Sequence, residues 1–387
     1  MPWRESSVVE ERLRFVVLAN RKECCKAELC REFGISRQTG HTWLKRYQAG
    51  GAMRVVDRSR RPLHSPDRTQ PEIEQRIIEL RQQWPDWGAP KLLVLLRQRQ
   101  PEWGSISVRT VHRILERHGL IQPSERHRAA DKRFERSSPN ALWQMDFKGP
   151  QGFNQGSPVG PLSILDDHSR YLIALKHLGS TRMSGVRGTL QQAFEEVGLP
   201  EAMLIDHGTP WWNGASPWGL TELTVWMMRQ GVRLVLSGIS HPQTQGKVER
   251  MHGALQRAVR QRNANPEDPQ WLETFRHEYN YIRPHQALAM ATPSSRWHPS
   301  SRPFQPEPPE WVYPPAMEVV RLHGQGQLFW NKRRWEVSAA LRRQRVGIER
   351  IADRAIVYFC NTPIREFHLP TGTSFSIPVD VIGSLQH

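Results

Sequence analysis

Glu249 stands where a loop hands over to a helix, in the stretch His241-Pro242-Gln243-Thr244-Gln245-Gly246-Lys247-Val248-Glu249-Arg250. Pro242 and Gly246 close the loop, and a helical pattern runs on to about Arg262. Val248, Met251, Leu255 and Val259 recur as a buried stripe, which leaves Glu249, Gly253, Gln256 and Arg260 on a neighbouring polar face. A carboxylate, a residue without a side chain and a cation along one face suit a metal ion beside a nucleic-acid backbone. An ordinary solvated helix explains a lone Glu equally well, so the upstream acids decide. Asp146 lies mid-strand where Trp143, Met145 and Phe147 alternate with polar residues, and Asp206 ends the short apolar strand Glu201 to Asp206 before a His207-Gly208 turn. Strand-end carboxylates facing a loop are where α/β sheets place ligands. Asp146, Asp206 and Glu249 together suit two divalent metals held by oxygen ligands roughly 3.5–4 Å apart.

The elements around these acids divide the chain. Residues 140–298 read as an α/β core with a mixed sheet: strands at Leu142 to Lys148, Gly160 to Leu165, Tyr171 to His177 and Val232 to Leu236, and helices at about Met183 to Val197, Leu220 to Arg229 and Trp271 to Ile282. Upstream are two all-α helix-turn-helix units, 1–52 and 71–120, joined by a basic linker (53–70) and followed by a charged linker (121–139). In the first unit Gly34 takes the turn and Ser36 caps a helix with Ile35, Thr39, Trp43 and Tyr47 facing inward. Arg37, Gln38, His41 and Lys45 then face outward, where a recognition helix meets base edges and phosphates. In the second unit Ser107 caps a helix that shows Arg109, Thr110, His112 and Arg113 to solvent. Arg58, Arg60 and Arg61 of the linker suit a phosphate backbone or minor groove. Seven prolines within 299–315 mark a semi-rigid linker, and six short strands in 316–387 predict a small barrel. Its Lys332-Arg333-Arg334 and Arg342-Arg343 clusters are phosphate contacts or plain hairpin charges.

Charge agrees with a polyanionic partner. The 387 residues carry a net charge of +16 with a pI near 10.3, and residues 1–139 hold 28 Lys and Arg against 17 Asp and Glu. No apolar run approaches the roughly 20 residues that span a bilayer, and the N-terminus lacks a signal-peptide core. The expectation is a soluble, cytoplasmic, nucleoid-associated protein. Four cysteines give no disulfide framework; Cys24, Cys25 and Cys30 with His41 form at most a weak metal set.

Trp143-Gln-Met-Asp146-Phe-Lys, Leu165-Asp-Asp-His-Ser-Arg-Tyr171, Ile205-Asp206-His-Gly, the stretch around Glu249 and Tyr279-Asn-Tyr-Ile-Arg-Pro-His285 resemble the catalytic core of insertion-sequence transposases of the DDE (retroviral-integrase) superfamily. The resemblance implies a ribonuclease-H-like core, an SH3-like C-terminal barrel, and two Mg²⁺ or Mn²⁺ ions per site held by Asp146, Asp206 and Glu249. It also implies double-stranded DNA, both transposon ends and target, as partner, and a dimer or larger assembly on it. Lys247, Arg250, Arg257 and Arg260 are the expected phosphate contacts on the Glu249 helix. Asp166 and Asp167 are rivals for the acid set, and a strand-end turn is the preferred account of them.

Three departures stand out. His207 replaces the usual Asn after the second acid, Gln256 replaces a basic residue two turns after Glu249, and 42 residues separate Asp206 from Glu249. That interval is longer than usual, so Trp211 to Met228 reads as an insertion that contacts DNA ends by stacking. The competing functions are a DNA-binding regulator with an inactive core and a metal-dependent nuclease that cuts without joining.

Overall fold

The computed structural model describes residues 7–21, 24–57, 69–103, 105–121, 135–149, 159–214, 219–237 and 246–377. Met1–Thr69 and Gln70–His387 form separate compact units. In the first, Ser7 starts α1 (Val8–Ala19) with a reciprocal capping box, its hydroxyl accepting from the Glu10 amide while the Glu10 carboxylate accepts from the Ser7 amide. α2 (Lys26–Glu32) runs into Gly34 at φ +60, and Ser36 caps α3 (Arg37–Gln48). The inward face of α3 differs from expectation. Gly40 and Leu44 are buried, Thr39 is exposed, and Ile35, Trp43 and Tyr47 are half-buried. Close approach of the helices is the cause: a Cβ on Gly40 would lie 2.6 Å from Cys30 Sγ and 2.8 Å from Phe15 Cζ. Trp43 instead lies beneath the guanidinium groups of Arg12 and Arg46.

The second unit begins with α4 (Pro71–Gln83), α5 (Ala89–Arg99) and α6 (Val108–Arg117), packed around Ile77, Leu92, Val111 and the stacked pair Trp84 and Trp87. The sheet that follows consists of β1 (Trp143–Phe147), β2 (Leu162–Asp166), β3 (Leu172–Lys176), β4 (Ala202–Ile205) and β5 (Arg233–Leu236), in the order β3-β2-β1-β4-β5. β1, β2 and β3 pair antiparallel, while β1 with β4 and β4 with β5 pair parallel, giving the expected mixed sheet. Successive side chains point to opposite faces. Met145 and Ile164 therefore pack with α7 (Met183–Val197) and α8 (Glu222–Arg229), whereas Leu165, Leu172 and Leu175 pack with α9 (Gly246–Arg262) and α10 (Pro269–His277). The helix expected to reach Ile282 changes at Glu278 into a π-helical turn, Glu278–Ile282. That turn aims the buried Asn280 side chain at β3, where its oxygen accepts from the Leu172 amide and its nitrogen donates to the Leu172 carbonyl.

The C-terminal part corrects the barrel expectation. β6 (Glu318–Arg321), β9 (Arg345–Ile351), β10 (Arg354–Phe359), β11 (Thr362–His368) and β12 (Thr373–Ser376) form an open sheet, β12-β11-β10-β9-β6. β7 (Gln327–Trp330) and β8 (Arg333–Glu336) pair only with each other. Among the described residues no sheet closes, because this hairpin packs through its side chains instead of extending an edge: Trp335 stacks on Phe367 with ring centroids 4.3 Å apart, and Trp330 Nε1 donates to Glu318. The proline-rich segment is also tied down. Arg302 donates to the carbonyls of Pro200, Gln230 and Gly231, and Phe304 packs against Phe194 and Trp226.

Candidate active site

Strand pairing brings the first two acids together. β1 and β4 run parallel with Trp143 opposite Met203 and Gln144 opposite Leu204. Two residues further on, the same register sets Asp146 opposite Asp206, and neighbouring strands lie roughly 4.8 Å apart. α9 crosses this region, packing on the sheet through Val248, Met251 and Leu255 and leaving Glu249 exposed. The three carboxylates share one electrostatic environment. Burial first, then the charge of Asp206 and also that of Glu249, push the Asp146 carboxyl up to about 7.

Each acid is held differently. Asp206 Oδ1 accepts from the Gly208 amide at 2.8 Å and from Trp211 Nε1 at 2.5 Å. A Cβ on Gly208 would sit 2.9 Å from that oxygen, so glycine permits the turn. His207 takes no part in this; it is exposed, edge-on to Trp212. Asp146 faces His252, one turn past Glu249 on α9, with Oδ2 and Nδ1 3.8 Å apart. His252 Nε2 lies 2.5 Å from Ser163 Oγ, which donates to the Asp146 carbonyl at 3.1 Å. With that hydroxyl proton committed, Nε2 carries the imidazole proton and Nδ1 turns its lone pair toward the carboxyl. Burial holds His252 neutral, its pKa pushed down to about 3. His252 and Trp211 belong to no motif that marks them in the sequence. The only signal for His252 is its i+3 spacing from Glu249.

The donor set fits a hard divalent cation. Burial first, with the charges of Asp206 and Glu249 adding, favours a proton on Asp146 that a cation would displace, and among the described residues Asp206 Oδ2 has no hydrogen-bond partner. No group of three or more His, Cys, Asp or Glu side chains among the described residues is already clustered for coordination, the Cys24, Cys25, Cys30 and His41 set included.

Asp166 and Asp167 are structural, as a strand-end turn requires. Asp166 accepts from the Asn140 amide and from the Ser169 amide and hydroxyl; Asp167 accepts from Gln144 and the Arg136 amide and pairs with Lys247 at 2.5 Å. Lys247 is therefore turned to the protein rather than outward for phosphate. Its pKa is pushed down to about 8, burial outweighing the attraction of Asp167. Arg250 and Arg260 are exposed and Arg257 half-buried. Trp211 is 2% exposed and stacks on Phe147, and α8 buries Leu223 through Met228, so these described residues serve as core and site support.

In the helix-turn-helix units Arg37, Gln38, His41, Lys45, Arg109 and Arg113 are exposed. Thr110 is half-buried, its amide and hydroxyl engaged by the Ser107 cap. Arg58, Arg60 and Arg61 lie outside the described residues.

Comparison with known proteins covers most of these parts. Residues 136–242 and 230–293 match integrase core domain families, 39–115 a homeodomain-like domain and 11–62 a helix-turn-helix domain. An uncharacterized protein of insertion element IS407 from Burkholderia multivorans is 25% identical over 264 residues, spanning 63% of this chain and 88% of that protein. Among solved structures, a chain of the simian T-cell lymphotropic virus intasome with PP2A regulatory subunit B56 gamma aligns at TM-score 0.38 and 14% identity, over 78% of this chain and 95% of that one. The HTLV-2 integrase catalytic core domain in complex with magnesium aligns at TM-score 0.34 and 14% identity, over 42% and 99%. Among the described residues no helix is long and apolar enough to cross a membrane.

Proposed function

We propose, for a chain that carries N-terminal helix-turn-helix domains and an integrase core, that it is a DNA transposase which cleaves the ends of an insertion sequence and joins them to target DNA. The observation that carries this reading is the parallel register of β1 and β4, which puts Asp146 beside Asp206, with Glu249 in the first turn of the helix that packs across them. Asp146, Asp206 and Glu249 would hold two Mg²⁺ or Mn²⁺ ions, which when bound activate the attacking oxygen and neutralise charge on the leaving 3′-oxygen. Trp211 and Gly208 hold Asp206 through Oδ1 and leave Oδ2 without a partner among the described residues. His252 keeps a neutral face toward Asp146, so the imidazole adds no charge of its own beside the carboxyl. No Ser or Tyr nucleophile is required, because water and then a DNA 3′-hydroxyl attack phosphorus directly. The exposed Arg37, Gln38, His41 and Lys45, with Arg109 and Arg113, suit recognition of terminal repeats in double-stranded DNA. Synapsis of two ends calls for at least two protomers.

The domain limits that accompany this reading are 1–52 and 71–120 for DNA binding, 140–298 for catalysis and 316–387 for a C-terminal β-sheet module. Electrophoretic binding and strand-cleavage assays on Asp206→Asn and Glu249→Gln test it. Retained DNA binding with cleavage abolished is expected; cleavage at the wild-type rate by either variant would overturn the assignment.

A further inference from the structure

Outside the acid site, three cations have no ion-pair partner of their own among the described residues, the attraction of Asp86 being shared between them and Arg262. Ile282 packs against the core of the α4–α6 unit, and the next residue, Arg283, is 9% exposed, with its guanidinium 5.5 Å from the Tyr279 ring. Arg283 Nε is closed off from solvent and has no acceptor. The Arg262–Asp86 pair, 2.8 Å long, ties α9 to the start of α5, where burial first and then the charges of Arg283 and Arg257 push Lys91 down to about 8 against the attraction of Asp86. The nearby acids are already spent on a fourth cation: Arg262 pairs with Asp86 at 2.8 Å and with Glu278 at 2.6 Å. Among the described residues no ion pair or side-chain hydrogen bond reaches Lys91, Arg257 or the guanidinium of Arg283. His285 reports the same positive field, held down to about 3 by burial and by Arg283, with Lys91 adding. Like charges packed partly out of water repel, and a buried cation without an acceptor is destabilising. An anion with several acceptor oxygens relieves both costs at once.

We infer that Lys91, Arg257 and Arg283 form a binding site for one phosphate group of a DNA backbone, at the junction of the second helix-turn-helix unit and α9. The inference rests on the proposed function for its source of phosphate. Arg257 lies eight residues past Glu249, roughly 12 Å along the helix axis, so this phosphate is not the reacting one. The site would hold the duplex in register between the helices that recognise it and the acids that cut it.

The test uses Lys91→Gln, Arg257→Gln and the double variant in the full-length protein, with Arg283→Lys as a milder probe of the buried position. Two quantities are read without divalent metal: the salt dependence of binding to a random-sequence duplex, and the rise in melting temperature caused by inorganic phosphate at constant ionic strength. One lost phosphate contact lowers the slope of log K against log[salt] by roughly 0.9, and the double variant should lose no more than that because the phosphate is shared. Phosphate should stabilise the wild type and not the variants. Folded variants that keep both the slope and the phosphate effect would overturn the site. Loss of the phosphate effect with an unchanged slope would overturn DNA as its source. If the wild type bound no duplex at all while phosphate stabilisation still required Lys91 and Arg257, the anion site would stand and the transposase reading would fail.

Discussion

Asp146 carries a testable consequence of its neighbours. Its carboxyl is raised from the ordinary 3.8 to about 7 by burial and by Asp206 and Glu249. In the metal-free protein its contribution to stability is intact below 3.8 and is lost as pH rises through about 7. Asp146→Asn should therefore gain in melting temperature relative to wild type between pH 5 and pH 8, and Mg²⁺ should raise the wild-type value at pH 8 while leaving the variant unmoved. Parallel pH profiles for the two proteins would show that the acids do not interact. Trp211→Phe keeps the ring that stacks on Phe147 but removes the hydrogen bond to Asp206. Loss of such a supporting partner costs roughly 10–100-fold in metal affinity or activity, measurable as a higher Mg²⁺ requirement for cleavage with the fold unchanged. The acids were legible in sequence from strand alternation and the Pro–Gly loop. Their partners were not, because Trp211 and His252 reach the site through tertiary contacts that no local spacing records.

At the scale of elements, α9 both closes the core and delivers Glu249. Leu255 is fully buried between α9 and the sheet, and Leu255→Ala should cost about 2–5 kcal/mol of stability, read by denaturant unfolding. A cost under about 1 kcal/mol would mean that α9 is not seated as described. α3 shows where periodicity misleads. Four-residue spacing points to Thr39, Trp43 and Tyr47, yet the helix turns Gly40 and Leu44 inward, and at Gly40 Cys30 and Phe15 leave no room for a side chain. Gly40→Ala should then destabilise the first unit by about 1–3 kcal/mol through overpacking, although Ala is the better helix former. The missing barrel has the same kind of origin. The six expected strands correspond to β6 through β11, and β12 lies beyond them; closure depends on which edges pair, and the packing of Trp335 on Phe367 fixes that without a sequence signature.

Across the whole molecule, chemistry and charge are set apart. The candidate acids lie within residues 136–293, which match integrase core domain families, while residues 1–139 hold 28 of the 54 Lys and Arg. That distribution suits a protein that grips DNA with its N-terminal part and reserves its carboxylates for the strand break. Composition made the partner class legible from the start, whereas the cations at Lys91, Arg257 and Arg283 become a cluster only once α5, α9 and the π-helical turn are brought together. The role proposed for Asp146, Asp206 and Glu249 is to hold the metal ions with which the protein would cut DNA and join it. The most direct measurement is strand transfer: wild type and Glu249→Gln, each mixed with labelled DNA from the flanks of the protein's own gene, a supercoiled target and Mg²⁺ or Mn²⁺. Joined product from the wild type alone is the predicted result, and joined product from Glu249→Gln, or DNA binding with neither cutting nor joining by the wild type in both metals, would contradict it.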